Sequence, residues 1–249
     1  MRTLFRTTLA LTVLTFAGIG AKADDAKAVI EKAVKAQGGE DNLKKFPAAR
    51  VKAKGSMELM GVEIEFALDS SVQNPDKFRN DINLEVMGQK ITIVQVYDGK
   101  KGWQSMLGQS MEVEGDQLEE LKEEAYSNYL EQLYPLLHDK QFELKAVDGE
   151  KVDDKPTDGV KVTAKGHKDI TLYFDKVSGL LVKSRKKSKD PNGGQEVEAE
   201  TYYKDYKEIN GTKQSMKQLL KHDGKKFLEA EVTDMKLLDK IDPSTFEKP

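Results

Sequence analysis

Few residues in this chain could do chemistry, and they are few in kind. Three histidines, His138, His167 and His222, are its only imidazoles. Each falls near the end of an expected element among charged neighbours. None has a second histidine or a carboxylate three or four residues away, the spacing that pairs metal ligands on a helix face. They read as surface histidines. There is no cysteine, so neither a disulfide nor a thiolate metal site supports the fold. No G-x-S-x-G elbow and no Walker-type loop occurs. Gly38-Gly39 reads as a helix end and Gly193-Gly194 as a hairpin tip. Carboxylates are plentiful, but a chain that is 33% charged makes pairs by chance, and no motif supports a glycosidase-like pair. Asn210-Gly211-Thr212 fits a glycosylation sequon, yet Asn-Gly is the hairpin signal. No metal and no cofactor is expected, and catalysis is not.

The N-terminus says where the chain goes. Arg2 and Arg6 precede an apolar stretch, 9–19, broken by Thr12, Thr15 and Gly18, and Ala21-Lys22-Ala23 is an A-x-A cleavage site. Residues 1–23 read as a secretory signal peptide, too short for a membrane span. No cysteine follows it, so lipid attachment is not expected, and a soluble periplasmic protein is. Losing Arg2, Arg6 and Lys22 takes the net charge from −3 to −6. A mildly acidic product is a poor nucleic-acid ligand. Residues 24–249 read as one β domain, expected to be monomeric.

The elements must position whatever site exists. A short helix over 24–36 carries Val29, Ile30, Ala33 and Val34 on one stripe, can be capped by Asp24 or Asp25, and ends at Gly38-Gly39. The period then drops to two. Val51, Ala53, Gly55, Met57 and Leu59 alternate with charged or polar residues; Val62, Ile64, Phe66 and Leu68 do the same, as do Phe78, Ile82, Leu84 and Val86. Half-buried alternation of this kind belongs to antiparallel sheets. Residues 116–137 interrupt the sheet with a helix over 116–134 that Pro135 limits, with Asp116 and Glu119 as a capping box, a stripe of Leu118, Leu121, Ala125, Tyr129 and Leu133, and a solvated acidic face of Glu119, Glu120, Glu123 and Glu124. Strands return at 142–147, 160–164, 170–174, 180–184, 197–206, 212–220 and 227–237, separated by turn signals such as Asp158-Gly159, Asn210-Gly211 and Asp223-Gly224. Eleven to thirteen strands with no linker predict a mainly β fold with a few helices: one large antiparallel sheet, half-closed into a barrel.

Such a sheet has two uses for its apolar face. It can be filled as core, giving a cell-envelope structural or interaction module without a ligand. Or it can leave a concave cavity for an acyl chain or another hydrophobic ligand, with the helices as movable covers. On the second reading Met57, Ile64, Phe66, Phe78, Leu84 and Trp103 are the candidate cavity residues. Phe66 and Phe78 are the bulky members of alternating strands, and Trp103, the only tryptophan, follows a Gly-rich turn.

"NPDKFRND" at 74–81 and "VYDGKKGWQSM" at 96–106 resemble the central strands of the periplasmic outer-membrane lipoprotein carrier LolA and its relatives. The shared pattern is Pro75, Phe78, Asp98-Gly99-Lys100 and Trp103. "LYFDKVSGLLVKSRKK", "YYKDYKEING" and "IDPSTFEKP" resemble the C-terminal half of the wider lipoprotein-sorting group. The resemblance spans most of the chain after residue 23. It implies an unclosed β-barrel with helices as lid or plug, binding acylated lipoproteins or lipid without catalysis and touching membrane-bound donor and acceptor proteins transiently. One departure stands out: the carrier has an arginine tied to lid closure and cargo release directly before this proline, where this chain has Asn74. Arg79 is no obvious replacement. Lys183, Arg185 and Lys187, near the end of "DKVSGLLVKSRKK", read as a solvated strand end, with a contact patch for anionic head groups as the other possibility.

Overall fold

Alternation makes the strands and two-residue turns make the hairpins. The computed structural model describes residues 19–86, 88–191 and 193–249. The first eighteen residues, and with them most of the expected leader, lie outside the described residues. Helix α1 (Ile19–Gln37) and a short α2 (Glu40–Leu43) lead into six meandering strands: β1 (Ala48–Leu59), β2 (Val62–Gln73), β3 (Lys77–Val86), β4 (Gln89–Tyr97), β5 (Gly102–Met106) and β6 (Gln109–Val113). Helices α3 (Gly115–Leu130) and α4 (Pro135–His138) follow. The chain then continues through β7 (Phe142–Val147), β8 (Lys151–Val152), β9 (Lys155–Ala164), β10 (Ile170–Asp175), β11 (Leu181–Lys189), β12 (Glu196–Ile209), β13 (Thr212–His222) and β14 (Lys225–Leu238).

These strands form one 14-stranded antiparallel sheet in the order β6-β5-β4-β3-β2-β1-β14-β13-β12-β11-β10-β9-β7, with β8 paired to β9 off that path. The edges β6 and β7 do not pair, so the barrel stays open. The connection between those edges is α3 and α4, and it crosses the gap. Leu121 and Ala125 of α3 pack with Phe78, Tyr97 and Val113 on one side. Tyr126 and Leu130 pack with Phe142, Val160 and Leu172 on the other. The helix therefore fastens both edges.

Cross-strand partners share a face, so the register sorts the side chains. Val51 faces Ser70 and Met235, Phe66 faces Leu84, and Leu68 faces Ile82, all on the concave side. Arg50, Lys52 and Arg79 stand on the convex side; Arg79 is spent there on Asp81 through a bond of 2.9 Å from Nε.

The helices depart from the sequence expectation in four ways. Helix α1 begins upstream of Asp24 and Asp25, so neither caps it. Its stripe is no light cover: Ala26, Ile30 and Ala33 are fully buried in the largest core cluster. Helix α3 starts at Gly115 without a side-chain cap, because Asp116 pairs with Lys189 at 2.5 Å instead. Pro135 opens α4 at its first turn rather than ending a longer helix.

The burial of Ile30 fixes a stability expectation. Truncation to alanine leaves a cavity under α1 and should cost about 2–5 kcal/mol. Urea unfolding measures it. A loss of a few tenths would mean that α1 rests on the barrel as a loose flap.

Candidate functional site

The hollow of the barrel is a cavity of about 320 Å³, at the lower end of the ~300–1,000 Å³ typical of small-molecule sites. Its sheet wall is apolar along β1, β2 and β14, through Ala49, Val51, Ala53, Leu68, Val72, Val232, Met235 and Leu237, and more polar on β12 and β13, through Tyr203, Gln214, Ser215 and Gln218. Ala33 and Gln37 of α1 close one end, beside Leu43 and Phe46.

The opposite wall is polar and comes from α3. Glu124, Asn128 and Glu131 recur at i, i+4 and i+7, one stripe of the helix, and all line the cavity. Asn80 donates to Glu124 Oε1 at 2.8 Å and Tyr203 donates to Glu131 Oε1 at 2.6 Å. Lys186, on the concave face of β11, donates to Ser127 Oγ at 2.7 Å. Burial pushes both carboxyls above their ordinary value, against the pull of these donors and of the Lys186 charge. Burial likewise lowers Lys186, although four glutamates oppose it. Glu123, the third inward acid, meets His167 Nδ1 at 3.0 Å and the backbone NH of Lys168 at 3.1 Å. The acidic face of this helix is thus a correction to the solvated reading: Glu119 stays exposed and Glu120 half-buried against Lys168, while Glu123 and Glu124 are held by the β9–β10 turn and by Asn80 of β3.

Each histidine has a partner, and His138 is exposed, as expected, whereas His167 and His222 are half-buried. His167 stacks on Tyr126 with ring centroids 4.0 Å apart, His222 stacks on Phe227 at 4.2 Å, and His138 meets Glu40 at 2.9 Å. Among the described residues no group of three His, Asp or Glu side chains could hold a metal ion.

The six candidate cavity residues separate into three groups. Met57 and Ile64 are cross-strand partners, and Phe66 and Leu84 are another pair. All four stand on the concave face, but beyond the cavity, toward the turns that join β1 to β2 and β3 to β4. Phe78 is on the same face, yet fully buried under α3. Trp103 requires a correction of placement. It pairs with Val96 on the convex face and packs with Ala48, Ile241 and Phe246 beneath the C-terminal segment. The turn at 98–101 sets the register of β5, and it puts Gly102 and Gln104 inward. Sequence reasoning missed Ala49, Val51, Ala53 and the α3 stripe. Asn74 does line the cavity, at the place where the resemblance set it against an arginine.

Lys183 is buried and Arg185 half-buried in a convex charged network rather than solvated, while Lys187 is exposed, as expected. Lys183 is 3% exposed and bridges Glu150, at 2.5 Å, and Glu200. Arg185 reaches Glu150 at 2.6 Å and Tyr173 Oη at 2.8 Å. Burial works against the Lys183 charge, but the two carboxylates outweigh it and hold its pKa above the ordinary value.

An unclosed antiparallel barrel, plugged by a helix and hollow at its centre, is the class of protein that this geometry defines. Its fold is the LolA-like fold. No family model matches the sequence, and no curated protein does. Among solved structures the chain is similar to a LolA superfamily protein from Nitrosomonas europaea, at 14% identity over 90% of this chain and 97% of that one, with a TM-score of 0.57. It is similar to an outer membrane lipoprotein-sorting protein domain from Vibrio parahaemolyticus, at 10% identity over 90% and 97%, TM-score 0.58. A DUF1329 family protein from Desulfovibrio piger matches at 13% identity over 89% and 97%, TM-score 0.56. At such identities the likeness is one of fold.

The α3 stripe makes stability pH-dependent. A carboxyl raised in the folded state holds its proton more tightly there than in the unfolded chain. The contribution of these two carboxyls to stability is therefore fully present below the ordinary value of 4.5 and is lost as pH rises through the raised value. Glu131→Gln keeps an oxygen for Tyr203 and removes the ionisation. Its urea midpoint should exceed the parent's at pH 8, with the gap closing toward pH 4.5. A parent more stable at pH 8 would show instead that the charge is net favourable.

Proposed function

We propose that this chain is a non-enzymatic periplasmic carrier that holds acyl chains of lipoproteins, or another hydrophobic ligand, in the barrel cavity. The observation that carries the reading is the cavity itself, with an apolar β1–β2–β14 wall, inside a LolA-like fold. One structural neighbour is described as lipoprotein-sorting, which supports the same assignment. A filled-core envelope module is supported less, because the concave face leaves about 320 Å³ empty. A hydrolase is supported less again. Glu124 and Glu131 sit two helical turns apart, about 10 Å along the axis, and answer to different donors.

In this reading the apolar wall takes the chain of the ligand. The α3 stripe takes its polar end, so the preferred ligand is an amphiphile rather than a hydrocarbon. Phe66, Leu84, Met57 and Ile64 extend the apolar wall outward and would meet the part of a long chain that the cavity cannot hold. Membrane-bound donor and acceptor proteins are the proposed partners, and the working unit is a monomer of residues 24–249 after removal of 1–23. No described helix is long and apolar enough to cross a membrane.

Two measurements test this. Val51→Trp fills the middle of the apolar wall, whereas Lys52→Trp places the same ring on the convex face. The first should weaken displacement of a fluorescent fatty-acid analogue at least tenfold, about 1.4 kcal/mol, and the second should not. Equal binding by both would remove the cavity from the reading. N-terminal sequencing of the protein from a periplasmic fraction should begin at Asp24, and a chain beginning at Met1 would end the export proposal.

A further inference from the structure

The tips of the N-terminal hairpins break a rule that the C-terminal two-residue turns obey. Four two-residue turns share one backbone geometry. Their first residue has φ of 52° at Met60, 53° at Leu107, 52° at Asn210 and 47° at Asp223, and each is followed by glycine with φ between 76° and 79°. Asn and Asp tolerate this left-handed conformation best, and they occupy the two C-terminal turns. Met60 and Leu107 do not fit it, and they are 87% and 76% exposed. The turn between them in the meander carries Met87-Gly88 in sequence. Two hairpins therefore place a large apolar residue where backbone and solvent both favour a small polar one, and the hairpin between them carries another in its sequence. A locally unfavourable choice made repeatedly points to a use outside folding.

The topology collects these tips. β1, β3 and β5 run in the same direction, so their turns share one rim of the sheet. Five of the six large apolar side chains exposed among the described residues lie there: Met60, Val62, Met106, Leu107 and Met111. The sixth, Val177, is in the turn after β10, at the other rim. With strands ~4.8 Å apart, successive hairpin tips stand about 10 Å apart. They are separate points, not the walls of a groove.

We propose that this rim is a membrane-docking edge, whose hairpin tips insert into the interfacial region of a lipid bilayer. A protein partner would need a fitted pocket for each isolated tip. A fluid lipid surface accommodates them without one, and Met, Leu and Val are the side chains it accepts. Charge fits the same partner. The charged residues of the six turns at this rim, 58–63, 85–90, 104–111, 165–169, 187–196 and 221–226, nearly cancel, at +1, although the whole chain is net negative. The edge is neither repelled by a bilayer nor dependent on anionic lipid. The concave pairs Leu59–Val62, Met57–Ile64 and Phe66–Leu84 also form an apolar track from the tips toward the cavity. The docking itself does not rest on the carrier reading, since a protein without cargo would show it equally.

The double variant Met60→Asn, Leu107→Asn tests the proposal, because it restores the Asn-Gly pair that already works at Asn210. It should fold with an unchanged or higher urea midpoint and bind phosphatidylcholine vesicles at least tenfold more weakly than the parent in flotation. Binding by the parent should change little with salt or with added phosphatidylglycerol. As the chain has no cysteine, an environment-sensitive fluorophore on Leu107→Cys reports tip depth. It should shift blue on vesicles and be quenched by lipid-borne quenchers, while the same probe on Asn210→Cys, at the opposite rim, stays water-like. A water-like tip probe on a vesicle-bound protein, or equal binding by parent and double variant, would overturn the proposal. So would a parent that ignores vesicles, including one that self-associates through the tips.

Discussion

The ladder between β1 and β14 makes one barrel out of two meanders. Apart from β1, which also pairs with β14, the strands of residues 48–113 pair only with their neighbours in sequence, and so do most strands after α4. Antiparallel pairing from Ala48 with Leu238 to Met57 with Leu228 is the seam that joins the halves. Its partners are nearly the whole chain apart, so it forms against a large loop-closure cost. Gly55 shows how tight the seam is. A β-carbon there would fall 1.9 Å from the carbonyl oxygen of Glu229, so no side chain fits without parting the strands. The cavity depends on this seam, because Ala49, Val51, Ala53, Val232, Met235 and Leu237 flank it. Small residues on its concave side leave the space that a ligand needs.

The second constraint is the open gap between β6 and β7. Unpaired edges invite further pairing, and here α3 occupies the opening with three faces. Leu121 and Ala125 grip the N-terminal half, Tyr126 and Leu130 grip the C-terminal half, and Glu124, Asn128 and Glu131 look inward. A helix that must satisfy two apolar walls at once has one stripe left for the hollow. Making that stripe acidic keeps α3 from collapsing into the cavity, since filling it would bury carboxylates that already lack full solvation. The same polarity makes the cavity amphiphilic.

Much of this was legible in the sequence. Alternation gave the strands and their faces, so Met57, Ile64, Phe66, Phe78 and Leu84 all stand on the concave side as the pattern implied. Turn chemistry placed Asn210-Gly211 and Asp223-Gly224, and Gly38-Gly39 ends α1. What alternation cannot show is which part of an apolar face stays empty. The bulky candidates pointed to contact, but a hollow persists where side chains are short, and the β1 part of this wall is alanine and valine. Trp103 was assigned the wrong face because its convex neighbours, Ile241 and Phe246, arrive from the far end of the chain. Lys183, Arg185 and Glu124 misled for the same reason. Their partners Glu150, Glu200 and Asn80 lie on other strands or loops, and a local window sees only unpaired charge.

The volumes and burials together decide which cover can yield. About 320 Å³ is close to the minimum for a small-molecule site, so a longer ligand must displace something. Helix α1 is the expensive choice. Ile30 alone is worth about 1.5–3 kcal/mol of buried side chain, and Ala26, Ala33 and Val34 are buried beside it among α4, β9 and β10. The cavity side of α3 is cheaper. Its inward residues are polar, each held by single hydrogen bonds from Asn80 and Tyr203, and such bonds contribute only about 0.5–1.5 kcal/mol net. A polar head group that satisfies Glu124 and Glu131 would replace what those bonds supply, whereas nothing in a ligand replaces the packing of α1. The N-terminal helix therefore belongs to the scaffold, and the adaptable wall of this barrel is the helix that bridges its open edge.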